Sequence, residues 1–137
     1  MRKTVVLIFL LLVMATIAFP QTKSRTRRAG SWLNGTWEGK GYQSDTDETW
    51  TMRLTVRGDK YLIEYPSLDC GGKWRPVNRS PWTAHFREEL THGADTCTNM
   101  GNVVIQRLNR RQIAYRYSNR GSREITASAI LNRKMKT

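Results

Sequence analysis

Cysteine is nearly absent from this chain of 137 residues: there are two, Cys70 and Cys97. No CxxC unit and no paired-histidine spacing occurs, which excludes the common zinc sites and the dithiol redox motif. Histidine is equally sparse, His85 and His92, and their odd separation would set them on opposite faces of a strand. The GxSxG elbow, the phosphate-cradling glycine loop and HExxH are missing too. No catalytic residue, metal ligand or cofactor is therefore expected. Acidic side chains are few, 11 against 23 basic ones, for a formal net charge of +12. Such a chain is drawn to anionic partners: envelope polymers, lipid headgroups or extracellular DNA. Helical periodicity is lacking, and the one long apolar run, Val5 to Ala15, is too short for a membrane-spanning helix.

What is present at the start reads as an export signal. Arg2 and Lys3 precede the apolar run, and the small residues Ala15 and Ala18 follow it before Pro20. Cleavage after Ala18 is expected, making residues 1–18 a signal peptide and leaving no membrane span. It removes two basic residues and no acid, so the mature chain stays strongly basic. Residues 19–34 carry Lys23, Arg25, Arg27 and Arg28 without apolar periodicity and read as a basic, disordered arm. Residues 35–134 remain as a single domain, with 135–137 as a tail. An exported chain is secreted or periplasmic, and two cysteines there are most simply one disulfide, Cys70 to Cys97.

Within the domain the hydrophobic period is two. Trp50, Met52, Leu54 and Val56 alternate with Thr49, Thr51, Arg53 and Thr55, a half-buried strand. Gly58 and Asp59 supply a tight hairpin turn, and Tyr61, Ile63 and Tyr65 continue the alternation up to Pro66. Further strands are expected over Thr36 to Gln43, Gly72 to Val77, Trp82 to Thr91, Asn102 to Leu108, Gln112 to Tyr117 and Arg123 to Asn132. Eight short antiparallel strands suggest an all-β, up-and-down barrel, which removes exposed edges; a β-sandwich is the alternative.

Gly35-Thr36-Trp37 opening the first strand and Arg133 closing the last resemble the calycin arrangement of lipocalins and their relatives. That resemblance implies that Trp37 packs across the closed end of the barrel and that Arg133 covers it. A longer pattern, Tyr65-Pro66-Ser67-Leu68, Cys70-Gly71-Gly72, Trp74, Phe86, Glu88, Gly93, Cys97, Gly101 and Val103, resembles small secreted bacterial β-domains. Some of these stand alone and others are extracytoplasmic appendages of membrane kinases. The resemblance implies fold and location and carries no assigned activity.

Four residues stand out as interior polar groups. Glu88 shares the phase of Trp82, Ala84, Phe86 and Leu90, so its carboxylate should point inward and require a partner, with Lys40 or Arg133 as candidates. Tyr65, Tyr115 and Tyr117 also point inward and need hydroxyl partners. Ile125 and Trp82 fall in the inward set as well. Whether these side chains fill the interior or leave a small cavity stays open, because eight strands enclose little space. Arg110, Arg111, Arg116, Arg120 and Arg123 cluster around one hairpin and read as a solvated basic rim. Alternation places Tyr115 and Tyr117 opposite Arg116, which argues against single-stranded nucleic acid as partner. The expected role is a monomeric, non-enzymatic binding module contacting a small envelope molecule or an anionic polymer. The alternative is an inhibitor or partner of a secreted enzyme, presenting loops such as Asp45 to Glu48 and Gly93 to Asn99.

Overall fold

The computed structural model describes residues 31–135. The signal peptide and most of the basic arm lie outside the described residues. Eight strands follow one another: β1 (Gly35–Gln43), β2 (Glu48–Arg57), β3 (Lys60–Tyr65), β4 (Cys70–Arg79), β5 (Thr83–His92), β6 (Asn102–Arg107), β7 (Gln112–Ser118) and β8 (Ala127–Arg133). Each pairs antiparallel with the next, and β8 returns to β1 to close the barrel. The closing ladder runs from Trp37 opposite Arg133 to Gln43 opposite Ala127. That ladder excludes the sandwich.

Up-and-down order fixes what lies at each end. The β1–β2, β5–β6 and β7–β8 connections and the short 3-10 turn Pro66–Leu68 share one end. The turns after β2, β4 and β6 share the other with a 3-10 turn at Ser31–Leu33. Leu33 is buried and its carbonyl accepts from Trp37 Nε1 at 2.8 Å. The packed structure thus begins before Gly35, and residues 31–33, expected within a disordered arm, form part of the floor.

Trp37 lies across this closed end, with the Arg133 guanidinium 4.0 Å above its ring. Arg133 also donates to the carbonyls of Arg110 (3.0 Å), Trp32 (2.8 Å) and Asn34. Gly35 makes room for it: a Cβ there would stand 2.7 Å from Arg133 Nη1, and the backbone φ of +125° also suits glycine. Above the floor, Leu54, Ile63, Phe86, Ile105, Ile113 and Leu131 fill the lower half of the barrel.

Two inward expectations fail for one reason, the end of a ladder. Trp82 is 64% exposed because it belongs to the turn, where Ser80 Oγ accepts from the backbone of Trp82 and Thr83. Ile125 is 43% exposed because β8 starts at Ala127, not Arg123; the last pairs on its two sides are Gln43–Ala127 and Tyr117–Ala127. Strand β4 runs longer than Gly72 to Val77, with register shifts at Gly71/Gly72 and Pro76/Asn78. Among the described residues no helix is long and apolar enough to cross a membrane.

Candidate functional site

The upper half of the barrel is not filled. A cavity of about 410 Å³ opens between the mouth loops and reaches down to Tyr65, Glu88 and Tyr115. Its origin is a row of small residues across the closing strands: Gly41 and Ala129 sit between Trp50 and Tyr115 in register, and Ala127 lies beside Tyr117. At Gly101 a Cβ would fall 2.0 Å from the Tyr117 ring, so this glycine lets the tyrosine lie against the wall. The open alternative between a packed interior and a cavity therefore resolves in favour of the cavity.

Glu88 forms the floor. It is 2% exposed, and its Oε2 accepts hydrogen bonds from the Tyr65 hydroxyl and from Trp74 Nε1, the latter at 2.8 Å. No donor among the described residues reaches Oε1 of this cavity-lining carboxyl. Trp74 carries the site downward, stacking on Tyr115 at 5.8 Å and leaning on Phe86 at 5.5 Å. The expected basic partner is not there. Lys40 alternates outward between Gly39 and Gly41 and is exposed, and Arg133 is committed to Trp37 at the opposite end. Neutral donors take the place of an ion pair, which spares the fold a second desolvated charge.

This environment shifts all four groups. Burial pushes the Glu88 carboxyl above the usual carboxylate range, while the Tyr65 and Trp74 donors pull it back. Burial likewise raises Tyr65 well above the ordinary phenol value, with Tyr115 and Glu88 adding to the effect. Tyr115 is raised by burial and by Glu88, and Tyr117 is pushed up to about 12 by the same causes. Each tyrosine is a neutral donor at any physiological pH. Glu88 is the titrating member.

The mouth has a charge of its own. Asp45 and Glu48 line the cavity, and Asp47, Asp69, Asp95 and Glu124 stand on the same end of the barrel, against Arg120 and Arg123. The expected basic rim is thus divided. Arg110 and Arg111 occupy the β6–β7 turn at the closed end, Arg116 projects from the outer wall of β7, and only Arg120 and Arg123 reach the mouth. The physical reason is strand length: β7 holds the two groups at its opposite ends.

The long loop between β5 and β6 forms one side of the mouth and is tied down by the Cys70–Cys97 disulfide, whose cysteines are 27 residues apart in sequence. Asn99 Oδ1 accepts from Leu90 N (2.9 Å) and Met100 N (2.8 Å), and Tyr117 donates to Thr98 O at 3.4 Å. A crosslink of that span is worth about 3.5 kcal/mol. The double variant Cys70→Ser/Cys97→Ser is accordingly expected to lose about 3.5 kcal/mol in urea unfolding. An unchanged midpoint would show the loop to be held by its hydrogen bonds alone.

No family model matches the chain, and no curated protein matches it. Among solved structures it is similar to a redesigned β-barrel, mFAP1, bound to DFHBI, with a TM-score of 0.56 and 17% identity over 77% of this chain and 99% of that one. The likeness shows the fold alone. A β-barrel is common to both, while the arrangement of Glu88, Tyr65 and Trp74 belongs to this chain's own residues.

Sequence reasoning singled out Glu88, Tyr65, Tyr115 and Tyr117, and the structure brings all four to the lumen. It missed Trp74 as an inward donor and the acidic mouth, while Trp50, read as inward, lines the cavity as a wall. Trp74 had a signal, a lone indole two residues beyond a glycine pair. The mouth acids had a partial signal in the Asp45 to Glu48 loop, while Asp69, Asp95 and Glu124 come from three other loops.

Proposed function

We propose that this is an exported, non-enzymatic binding module whose lumen takes one small molecule with an apolar or aromatic body and a cationic, hydrogen-bond-donating group. The observation that carries this reading is the buried Glu88 carboxyl, with one oxygen fixed by Tyr65 and Trp74 and the other left for a ligand. The cavity volume of about 410 Å³ falls in the range of small-molecule sites. Tyr115, Tyr117 and Trp50 provide aromatic walls, and the acidic mouth favours entry of a cation. The disulfide fits an oxidising, extracytoplasmic compartment, as does the resemblance to small secreted bacterial β-domains.

Calorimetric titration with phenethylamine and with phenylacetate tests the class of ligand. The amine is expected to bind and the acid not, and Glu88→Gln should weaken the amine at least about tenfold, the usual size of losing one charge-assisted hydrogen bond. Affinity for the amine should rise with pH as Glu88 ionises, because a cation prefers the carboxylate. Equal binding of both probes, or an indifferent Glu88→Gln, would remove the carboxyl from the role. Native mass spectrometry of protein from its own host then reads the natural occupant. A co-purifying protein in place of a small added mass would favour the inhibitor reading, since the Asp45 to Glu48 and Gly93 to Asn99 loops both stand at the mouth.

A further inference from the structure

The end of the barrel opposite the cavity has the reverse character. Its turns and strand ends carry Arg57, Lys60, Arg107, Arg110 and Arg111, and none of these forms an ion pair with a carboxylate among the described residues. Asp59 is the acid placed among them. A basic protein whose mouth is acidic must concentrate its cations elsewhere. Much of that excess is here.

Large apolar side chains accompany the charge. Trp82 is 64% exposed on the β4–β5 turn and Leu108 46% exposed on the β6–β7 turn, with Val77 and Met135 also exposed at this end. Arg107 ties the patch together, its guanidinium 5.5 Å from the Trp82 ring and 6.0 Å from the Trp32 ring. Trp82 sits outward because its turn requires it, so the exposure belongs to the fold and is not a frayed end. Exposed indole and aliphatic tips at the same end as basic side chains without carboxylate partners is the composition that partitions into a headgroup layer: the rings enter the interface and the guanidiniums meet phosphate.

We propose that the closed end docks on an anionic lipid bilayer, with Trp82 and Leu108 in the interface and Arg107, Arg110 and Arg111 on the headgroups, so that the acidic mouth faces away from the membrane. Charge complementarity selects an anionic surface. The apolar tips select a bilayer over a soluble polyanion, which would take up the arginines and leave Trp82 and Leu108 in water. This surface is distinct from the lumen, and the proposal stands whether or not the lumen binds amines.

Flotation with vesicles of phosphatidylcholine alone, and with about a third phosphatidylglycerol, tests it at two salt concentrations. Binding is expected only to the anionic vesicles and should fall with salt. Arg110→Glu/Arg111→Glu should weaken partitioning at least about tenfold and Trp82→Ala several-fold, while Arg120→Glu/Arg123→Glu at the mouth should leave it unchanged. Urea unfolding of each variant separates lost binding from lost fold. Several outcomes would overturn the proposal: no binding to anionic vesicles, equal binding to both compositions, or equal loss on reversing the mouth arginines. So would a Trp82→Ala variant that binds normally while soluble polyphosphate competes fully, since that result defines a purely electrostatic polyanion surface.

Discussion

Glu88→Ala is expected to cost about 3 to 4 kcal/mol in urea unfolding, whereas Glu88→Gln should stay within about 1 kcal/mol of the parent at neutral pH. The two variants differ in what they leave behind. Alanine removes the acceptor shared by the Tyr65 hydroxyl and Trp74 Nε1, and each buried donor without a partner costs about 1 to 3 kcal/mol. Water in the cavity can reach Tyr65, which lines it, but Trp74 does not line it. Glutamine keeps a carbonyl oxygen for both donors and gives up a charge that burial disfavours. Had Glu88 been one half of a buried ion pair, both substitutions would be severe, because each would strand an unpaired cation. Equal large losses for both variants would therefore contradict the neutral-donor floor.

The same pair of variants carries a pH signature. Burial raises the folded-state value for Glu88 above the ordinary 4.5. A raised carboxyl stabilises the fold fully below the unfolded value, and the contribution is lost as pH climbs through the folded one. The advantage of Glu88→Gln over the parent should accordingly grow on going from pH 4.5 toward neutrality. Glu38 and Glu89 act in the opposite sense. Arg53 holds Glu38 below the usual range and Arg75 does the same for Glu89, so their contributions are present above the ordinary value and lost on acidification. Both are half-buried on the outer wall, and taking the difference between parent and glutamine variant cancels them.

The strands were legible because one face of each is wet. Period two across Trp50 to Val56 and Tyr61 to Tyr65 places Trp50, Met52, Leu54, Val56, Tyr61, Ile63 and Tyr65 inside, while Leu62, out of phase, stays exposed. Strand β4 was harder, since Gly71, Gly72 and Pro76 interrupt the pattern and the register shifts beside them move its residues relative to β5. Trp74 consequently escaped the inward set, although it is the second donor to Glu88. The cavity was ambiguous for a different reason. Large inward residues were visible one by one, but free space depends on which small residues lie beside them, and the row Trp50, Gly41, Ala129, Tyr115 exists only once four strands are in register. The acidic mouth and basic closed end were legible only in pieces, the Asp45 to Glu48 loop and the Arg110-Arg111 pair. Their other members come from separate loops, and only the alternating direction of the meander sorts them to opposite ends.

Trp37→Ala is expected to be the most damaging single change, at about 4 kcal/mol, the range for emptying a fully buried aromatic site. Trp37 has no exposed surface, anchors the Ser31–Leu33 turn through Leu33 O, and forms the plane on which Arg133 rests. Its loss leaves a void and strands that guanidinium. Arg133→Lys should cost less, about 1 to 2 kcal/mol, because an ammonium retains the charge but cannot stack on the indole while reaching three carbonyls. Urea unfolding measures both, and a Trp37→Ala midpoint near that of the parent would mean that the floor is not part of the cooperative core. The consequence reaches the lumen only indirectly. Trp37 lies at the end away from Glu88, so a Trp37→Phe protein that remains folded should titrate phenethylamine like the parent while unfolding earlier. The two substitutions thus separate the sealed end, where Trp37 and Arg133 hold the Ser31–Leu33 turn, from the lumen lined by Glu88 and Tyr65.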